Sequence, residues 1–278
     1  MCCGLRNEFA ALSPERVWGE WEKWAAKSRF PSMGLRVLEA TGWIDCFPEL
    51  AALRGTPQHP VWHREGDAFE HAASVVDRMA LIMSEKRYSE QDNLTLMFAA
   101  LLHDVGKPLT LVERAPGIWS SPGHSEAGIP LAQRFLETMK APGWLVERVL
   151  PLVREHQAHM RLPIDAIPSD TQVRRLAHRL APDNMRLWAD LVAADTRGCD
   201  NDLTAHSPQP WLDAARRLGV VNGPPQPMLQ GRDLIALGMK PGSEMGVILK
   251  TAFEAQLEGE FLTQEDATAW LKHHITAR

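Results

Sequence analysis

The chain has 278 residues, of which 45% are hydrophobic and 23% charged, enough apolar side chains for one long domain or two compact ones. This composition excludes intrinsically disordered, collagen-like and coiled-coil proteins. Thirty lysines and arginines against 35 aspartates and glutamates give a net charge of −5, so nucleic acid would bind only through a local patch.

The N-terminal part of the sequence has apolar residues at helical spacing. Ser13 and Pro14 provide a side-chain cap and a first-turn proline for a helix whose apolar residues then recur every three or four positions. Two shorter helices are predicted at residues 31–41 and 48–54, because a glycine that can adopt the left-handed conformation follows each of them.

The middle of the sequence predicts a helical bundle. Asp67 is expected to cap a longer helix that contains His71. Helix 91–105 is apolar nearly all round, as is typical of a bundle centre, and it should end at Gly106. Further helices are predicted at 125–139, 143–156, 171–180, 184–197, 243–257 and 264–275. Since no run alternates like a strand, the predicted fold class is all-α.

The chain is predicted to have three parts, and a shift in composition marks the last boundary. Residues 1–60 form an N-terminal helical segment, and residues 61–200 form the central bundle. Proline-rich punctuation follows Gly198, so residues 201–278 are predicted to form a C-terminal helical appendage.

Two features of the sequence bear on its compartment. The longest apolar run, residues 94–102, is shorter than the ~20 residues that a membrane-spanning helix needs, so no membrane is expected as a partner. No basic segment leads into an apolar stretch behind Met1, which predicts a cytoplasmic protein without a signal peptide. The cysteines lack CxxC spacing, as is typical of free thiols in a reducing compartment: Cys2, Cys3, Cys46 and Cys199.

Histidines and aspartates on separate predicted helices are candidate ligands of a divalent metal. His71 and His103 lie on helices that can pack antiparallel, and Asp104 can join them because the helix is ending at that point. Asp195, near the end of helix 184–197, completes the first candidate set. Imidazole and carboxylate suit Mn, Fe, Ni, Co or Zn and, less well, Mg.

A second ion would find its ligands in His124 and His156, with Asp104 bridging two ions about 3.5–4 Å apart. Such a pair suits phosphate-ester hydrolysis, in which Asp104 and Lys107 are the candidate catalytic residues; the Lys107 ammonium could reach a phosphate oxygen. Each residue alone has another interpretation: His71 as a core histidine, and His103 with Asp104 as an ordinary helix end. The metal site depends on the whole set.

Several motifs together resemble those of a known superfamily. The pattern H…HD…D, with HDVGKP at residues 103–108, resembles the HD-domain metal-dependent phosphohydrolases. The segment WHREGD at residues 62–67, followed by Glu70 and His71, is similar to the start of that domain in bacterial tRNA nucleotidyltransferases, the CCA-adding enzymes. Further similar segments are residues 13–16, 48–50, 123–124, 174–177, 231–234, 240–242 and 246–259.

The resemblance covers the neck, HD domain and tail of that family, and within the given sequence it does not extend to the nucleotidyltransferase head. That head carries a GS turn and a catalytic DxD, and an EDxxR motif lies in the neck. Asp200-Asn201-Asp202 has the DxD letters without the preceding turn and strand, and we interpret it as polar loop residues.

The resemblance implies that His71, His103, Asp104 and Asp195 bind a first metal and that His124 and His156 serve a second metal or a bound phosphate. It also implies 2′,3′-cyclic phosphodiesterase, 2′-nucleotidase or phosphatase activity on a nucleotide or an RNA 3′ end. The alternatives are a subunit that binds tRNA or a separate nucleotidyltransferase head without hydrolysis, and a nucleotide-sensing HD domain that binds its ligand without hydrolysing it.

Four residues are candidates for substrate binding. Lys107 is one of them, because its ammonium could reach a phosphate oxygen. His63 and His159 flank the candidate metal ligands in the sequence. Arg175 belongs to a basic stripe on helix 171–180 that could hold phosphate, although a solvated helix face explains the stripe better.

Overall fold

The computed structural model describes residues 8–9, 11–163, 166–198 and 207–276. Its N-terminal part contains α1 (Pro14–Lys27), α2 (Pro31–Ala40), a 3₁₀ turn (Trp43–Cys46) and α3 (Pro48–Ala51). The Ser13 side chain accepts a hydrogen bond from the Arg16 amide, so the expected cap begins α1.

The central part contains α4 (Ala68–Glu85), α5 (Glu90–Leu102), α6 (Lys107–Thr110), α7 (His124–Thr138), α8 (Gly143–Glu155), α9 (Asp170–Arg179) and α10 (Met185–Gly198). A 3₁₀ turn at Ala158–Arg161 follows α8. The Asp67 carboxylate accepts hydrogen bonds from the amides of Phe69 and Glu70, both at 3.0 Å, and so caps α4.

The C-terminal part contains α11 (Gln209–Arg217), α12 (Gly231–Ala236), α13 (Ser243–Glu258) and α14 (Gln264–Thr276). The described residues are mainly helical, which confirms the all-α prediction. No helix among them is long and apolar enough to cross a bilayer.

A short hairpin accompanies the helices. Strand β1 (Val112–Ala115) pairs antiparallel with β2 (Ile118–Ser120), and Val112 lies opposite Ser120. The turn places Gly117 at a φ of 73°, a conformation that glycine adopts without a steric penalty. Strands of four and three residues are too short for alternation to be recognised in a sequence.

One apolar core runs from α1 to the end of α11 and is centred on α5, which packs against α1, α4, α8 and α10. Trp18 of α1 stacks on Phe98 of α5 with ring centroids 5.4 Å apart. The N-terminal helices therefore share their core with the central bundle. The boundaries at residues 60 and 200 stay predictions.

A second apolar core joins α12, α13 and α14. Arg174 of α9 connects this part to the bundle, because its buried Nε donates to the Leu257 carbonyl of α13 at 2.8 Å. Thr171 donates to the Glu258 carbonyl at 3.1 Å. The appendage thus docks on α9.

Candidate metal centre

Five helix ends or faces bring six ligand-type side chains to one place in the central bundle. They are His71 in α4, His103 and Asp104 directly after α5, His124 at the start of α7, His156 directly after α8 and Asp195 in α10. Five of the six are buried, and the Asp195 side chain keeps 19% of its surface exposed. Asp195 therefore marks the open side of the cluster.

Subsite A consists of His71, His103 and Asp195. The His71 Nε2 lies 3.0 Å from Asp195 Oδ1 and 3.3 Å from the Nε2 of His103. One ligand atom from each residue lies within 4.8 Å of the other two. These atoms are close enough to contact a common cation.

Subsite B consists of Asp104, His124 and His156. The Nε2 atoms of His124 and His156 are 3.2 Å apart, and Asp104 Oδ1 lies 3.1 Å from the former and 3.8 Å from the latter. All three side chains are buried. Subsite B is thus a buried site in which two imidazole nitrogens and one carboxylate oxygen face one another.

Asp104 lies between the two subsites and faces both. Its Oδ1 points to subsite B, whereas its Oδ2 lies 3.1 Å from the Nε2 of His103 and 3.6 Å from that of His71. Within the described part of the chain, neither oxygen accepts a hydrogen bond of normal geometry, although both are buried. The Lys107 ammonium, 2.6 Å from Oδ2, compensates part of the cost of burying this carboxylate, and a cation in subsite B would compensate it at Oδ1.

Backbone carbonyls fix the orientation of three histidines. His103, His124 and His156 each donate their Nδ1–H to the carbonyl three residues earlier, at 2.8, 2.7 and 2.7 Å. In the neutral imidazole the Nε2 atom then carries a lone pair, which points into the cluster. This pattern of support is the usual one around histidines that bind metals.

Glu65 supports His71 in place of a backbone carbonyl. Its Oε1 accepts hydrogen bonds from the Nδ1 atoms of both His71 and His63, each at 2.8 Å. The His63 and His71 rings meet edge to face with centroids 4.7 Å apart. The loop before α4 therefore determines how His71 faces subsite A.

Charges in subsite A favour a proton on His71. Burial opposes the charged imidazolium, but hydrogen bonds to Asp195 and Glu65 outweigh it and raise the pKa of His71 to about 9. Burial also opposes ionisation of Asp195 and Glu65, yet their histidine partners hold the pKa of each carboxyl below its usual range. Both acids are ionised at neutral pH.

Subsite B carries no comparable proton on His156. Burial, followed by the neighbouring His124 and His103, lowers the pKa of His156 to about 3. Although burial raises the pKa of Asp104, His103 and Lys107 hold it well below its usual range. Lone pairs of nitrogen and an ionised, buried carboxylate therefore meet in one place, which is the donor set that a divalent cation fits.

Lys107 contacts the Asp104 carboxylate from the first turn of α6. Its Nζ lies 2.6 Å from Asp104 Oδ2 and donates to the Gln58 side-chain oxygen at 2.5 Å. An ammonium has three donors, so one more remains for an oxygen atom of a ligand.

Gly106 allows α6 and α7 to begin in contact. A Cβ atom at this position would lie 2.1 Å from the His124 carbonyl oxygen and 2.6 Å from the Gly128 nitrogen. Only glycine fits so close an approach. The glycine of HDVGKP thus brings His124 next to Asp104.

The other residues that the sequence nominated have different surroundings. His63 is held by Glu65 beside subsite A, and burial lowers its pKa. His159 is buried edge to face against Trp188, with ring centroids 6.0 Å apart. Arg175 donates to Glu258 at 2.9 Å and lies 3.2 Å from Glu254, so α13 neutralises it. Asp200-Asn201-Asp202 lies outside the described residues.

Sequence reasoning did not nominate Glu65 and Gln58. Glu65 lies two residues after His63 and six before His71, a spacing that lets one carboxylate contact both rings. This H-x-E pattern, just before a capped helix, was the available signal. Gln58 gave none, because its contact with Lys107 depends on the path of the loop.

Comparison with known proteins gives a family match and several relatives. Residues 68–184 match the model of the family described as "HD domain", which includes five of the six cluster residues and ends before Asp195. The chain is 35% identical over 248 residues to a CC-adding tRNA nucleotidyltransferase of Thermus thermophilus, covering 86% of this chain and 52% of the relative.

Two further relatives are similar over the same region. An A-adding tRNA nucleotidyltransferase of Deinococcus radiodurans is 35% identical over 250 residues, 86% of this chain and 54% of the relative. A multifunctional CCA protein of Halorhodospira halophila is 38% identical over 160 residues, 57% of this chain and 36% of the relative. The chain spans about half the length, or less, of the curated relatives it matches.

Proposed function

The chain carries an HD domain over residues 68–184, and from that premise we propose that it is a metal-dependent phosphohydrolase acting on nucleotides or RNA ends. The observation that carries the proposal is the buried Asp104 carboxylate between two pairs of inward-facing histidine Nε2 atoms. In this proposal subsites A and B each bind one divalent ion, and Asp104 contacts both.

The donor set favours ions that accept imidazole and carboxylate together, such as Mn, Ni, Co and Fe, with Mg less favoured. Divalent ions at such a centre polarise phosphoryl oxygens and make water a stronger nucleophile at neutral pH. Asp195, on the open side, leaves room for a phosphate ester to approach subsite A.

Lys107 and Asp104 are the residues that we propose to act on the reacting groups. The remaining Lys107 donor would hold a phosphate oxygen, and the contact with Gln58 keeps the ammonium in place. The Asp104 carboxylate would hold the ions, since a pKa well below the usual range keeps it charged. His63 would border the same opening.

The relatives support RNA ends and nucleotides as the substrate class, because they are named as tRNA nucleotidyltransferases and CCA proteins. We propose hydrolysis of a 2′,3′-cyclic phosphate, a 2′-nucleotide or a terminal phosphate monoester. These reactions all need a cation beside a phosphoryl group.

The test combines elemental analysis of the purified protein with hydrolysis assays on cyclic and monoester nucleotides in Mn, Ni, Co and Mg. We expect bound metal and turnover with at least one ion. Asp195→Ala should remove the ion of subsite A and abolish turnover, whereas Glu254→Ala, far along the chain on α13, should change neither. Full turnover by Asp195→Ala would refute the proposal.

A second candidate function is a tRNA-binding subunit without hydrolytic activity. It is favoured by the match to about half of each tRNA nucleotidyltransferase, which leaves the other half to a further segment or a separate nucleotidyltransferase chain. Binding of tRNA by the full chain, measured before and after chelation of metal, separates the two. Binding that chelation leaves unchanged, with no hydrolysis in any metal, would select this second function.

A further inference from the structure

The loop before α4, residues 58–66, is closed at its base and attached to the metal centre. The Gln58 side-chain amide donates to the carbonyls of Gly66 and Asp67 at 3.4 and 3.1 Å, while its oxygen accepts from Lys107. Ala68 donates to the Thr56 carbonyl at 3.0 Å. The two ends of the loop are therefore held together beside Asp104.

Side chains of the second half of this loop turn back into the centre. Glu65 contacts His71 directly, and His63 contacts Glu65. Lys107 and His71 both lie close to Asp104 Oδ2, at 2.6 and 3.6 Å. Loop 58–66 thus spans one side of the centre, from its ammonium group to subsite A.

The tip of the loop presents apolar surface. The side chains of Val61 and Trp62 are 46% and 42% exposed. Trp62 directly precedes His63, which is attached to the metal centre through Glu65. The tip has a fixed conformation, because the amides of Trp62 and His63 donate to the His59 carbonyl at 3.1 and 2.9 Å. An ordered turn therefore holds an exposed indole ring next to a residue of the centre.

The backbone of Trp62 lies close to subsite A. Consecutive Cα atoms are about 3.8 Å apart, and the His63 ring lies 4.7 Å from the His71 ring. The Trp62 Cα is therefore on the order of 10 Å from the His71 ring. In a nucleotide, one ribose separates the phosphate from the base, so both groups could be contacted at once.

We propose that Trp62 stacks on the base of the substrate and that loop 58–66 forms the base-binding wall of the site. This inference rests on the proposed function and specifies the part of the substrate that lies outside the metal centre. Among the described residues, Phe30 is the other aromatic side chain with comparable exposure. Phe30 lies near Leu81, ten residues along α4 from His71, or about 15 Å on the helix axis.

The test is calorimetric binding of two probes to the Mn-loaded full-length protein: analogues of adenosine 2′-monophosphate and of ribose phosphate, which lacks the base, in which a phosphonate replaces the hydrolysable ester. Wild type should bind the nucleotide more tightly. Trp62→Ala should weaken nucleotide binding about tenfold, as loss of a base–aromatic stack does, and leave ribose phosphate unchanged. Trp62→Phe should retain most of the preference, and Phe30→Ala should retain all of it.

Four results would overturn the inference. They are equal affinity of wild type for both probes, binding of neither probe, nucleotide affinity that Trp62→Ala leaves unchanged, and an equal loss for both probes in Trp62→Ala, which indicates damage to the metal centre. Failure of the proposed function would look different. In that case the preference for the base and its loss in Trp62→Ala would persist, but no metal would support hydrolysis.

Discussion

The two halves of the candidate metal centre use the same ligand types but support them differently. In subsite B, backbone carbonyls hold both histidines, and all three side chains are buried. In subsite A, a backbone carbonyl holds His103 but a carboxylate from loop 58–66 holds His71, and Asp195 is partly exposed. Subsite B is thus fixed by helix ends, whereas subsite A depends on a loop that also borders the opening.

The difference in support produces a difference in charge. The carboxylates around His71 raise its pKa to about 9, while burial among other histidines lowers the pKa of His156 to about 3. An ion entering subsite A must therefore displace a proton, and an ion entering subsite B displaces none from His156. We expect the two proposed ions to differ in affinity, in pH dependence and in sensitivity to the loop.

Asp104→Asn should have the largest effect, because it removes the group that the two subsites share. The amide keeps the shape of the side chain but lacks the negative charge that both ions need. We expect loss of both ions by elemental analysis and a fall in turnover exceeding the ~10²-fold that follows loss of a supporting group.

The comparison variants for Asp104→Asn remove one subsite each. Asp195→Asn should leave subsite B able to bind, and His156→Ala should leave subsite A. Melting of each metal-free variant checks that the fold persists. If Asp104→Asn keeps either ion at wild-type affinity, the shared carboxylate is not a ligand and the comparison fails.

Glu65→Gln should have an intermediate effect confined to subsite A. A neutral amide accepts the His71 Nδ1–H less strongly than a carboxylate, so the His71 Nε2 becomes a poorer ligand. We expect a loss of about 10–100-fold in metal affinity at subsite A, measured by calorimetric titration, and unchanged affinity at subsite B.

The matched control is Glu70→Gln, the same substitution in the first turn of α4. Glu70 pairs with Arg36 at 2.7 Å on a more exposed surface, away from the cluster ligands. The Glu70→Gln variant should bind both ions as the wild-type protein does. An equal loss of metal affinity at both subsites in Glu65→Gln would show that loop 58–66 supports the whole centre. The two subsites would then not differ in their dependence on the loop.

The difference between local and tertiary information explains what the sequence could predict. The starts of α1 and α4 follow from the Ser13 and Asp67 caps, whose hydrogen bonds join residues two or three positions apart. The doublet His103-Asp104 was visible because a helix stop follows it directly. Glu65 and Gln58 were missed because their partners depend on how loop 58–66 folds back.

Arg175 shows that a local sequence pattern can also nominate a residue that tertiary contacts then remove from the candidate site. With its neighbours in α9 it forms a basic stripe in sequence, but Arg175 itself faces acidic residues more than seventy positions later. Glu254 and Glu258 neutralise the charge that would attract phosphate. Local patterns identified residue types suited to the site, and packing between distant segments determined which of them surround it.

The pH dependence of metal binding is the smallest predicted effect. It distinguishes subsite A from subsite B most directly. His71 is protonated below its pKa of about 9, and an ion in subsite A requires the unprotonated nitrogen. Affinity at subsite A should therefore rise about tenfold per pH unit up to about pH 8, flatten as the pH approaches 9, and then level off. His156, with a pKa of about 3, adds no such slope to subsite B.

The same proton has the opposite effect on the stability of the metal-free fold. Because the pKa of His71 is raised on folding, its contribution is complete below the unfolded value of about 6.5 and is lost as pH rises through about 9.

Metal binding offers a direct measurement of this proton. Calorimetry in buffers of different ionisation enthalpy should detect close to one proton released per ion that binds subsite A at pH 7.5. In Glu65→Gln the pKa of His71 should fall, so the slope at subsite A should level off at a lower pH. Identical proton release at both subsites would show that loop 58–66 and Asp195 do not set the protonation of the centre.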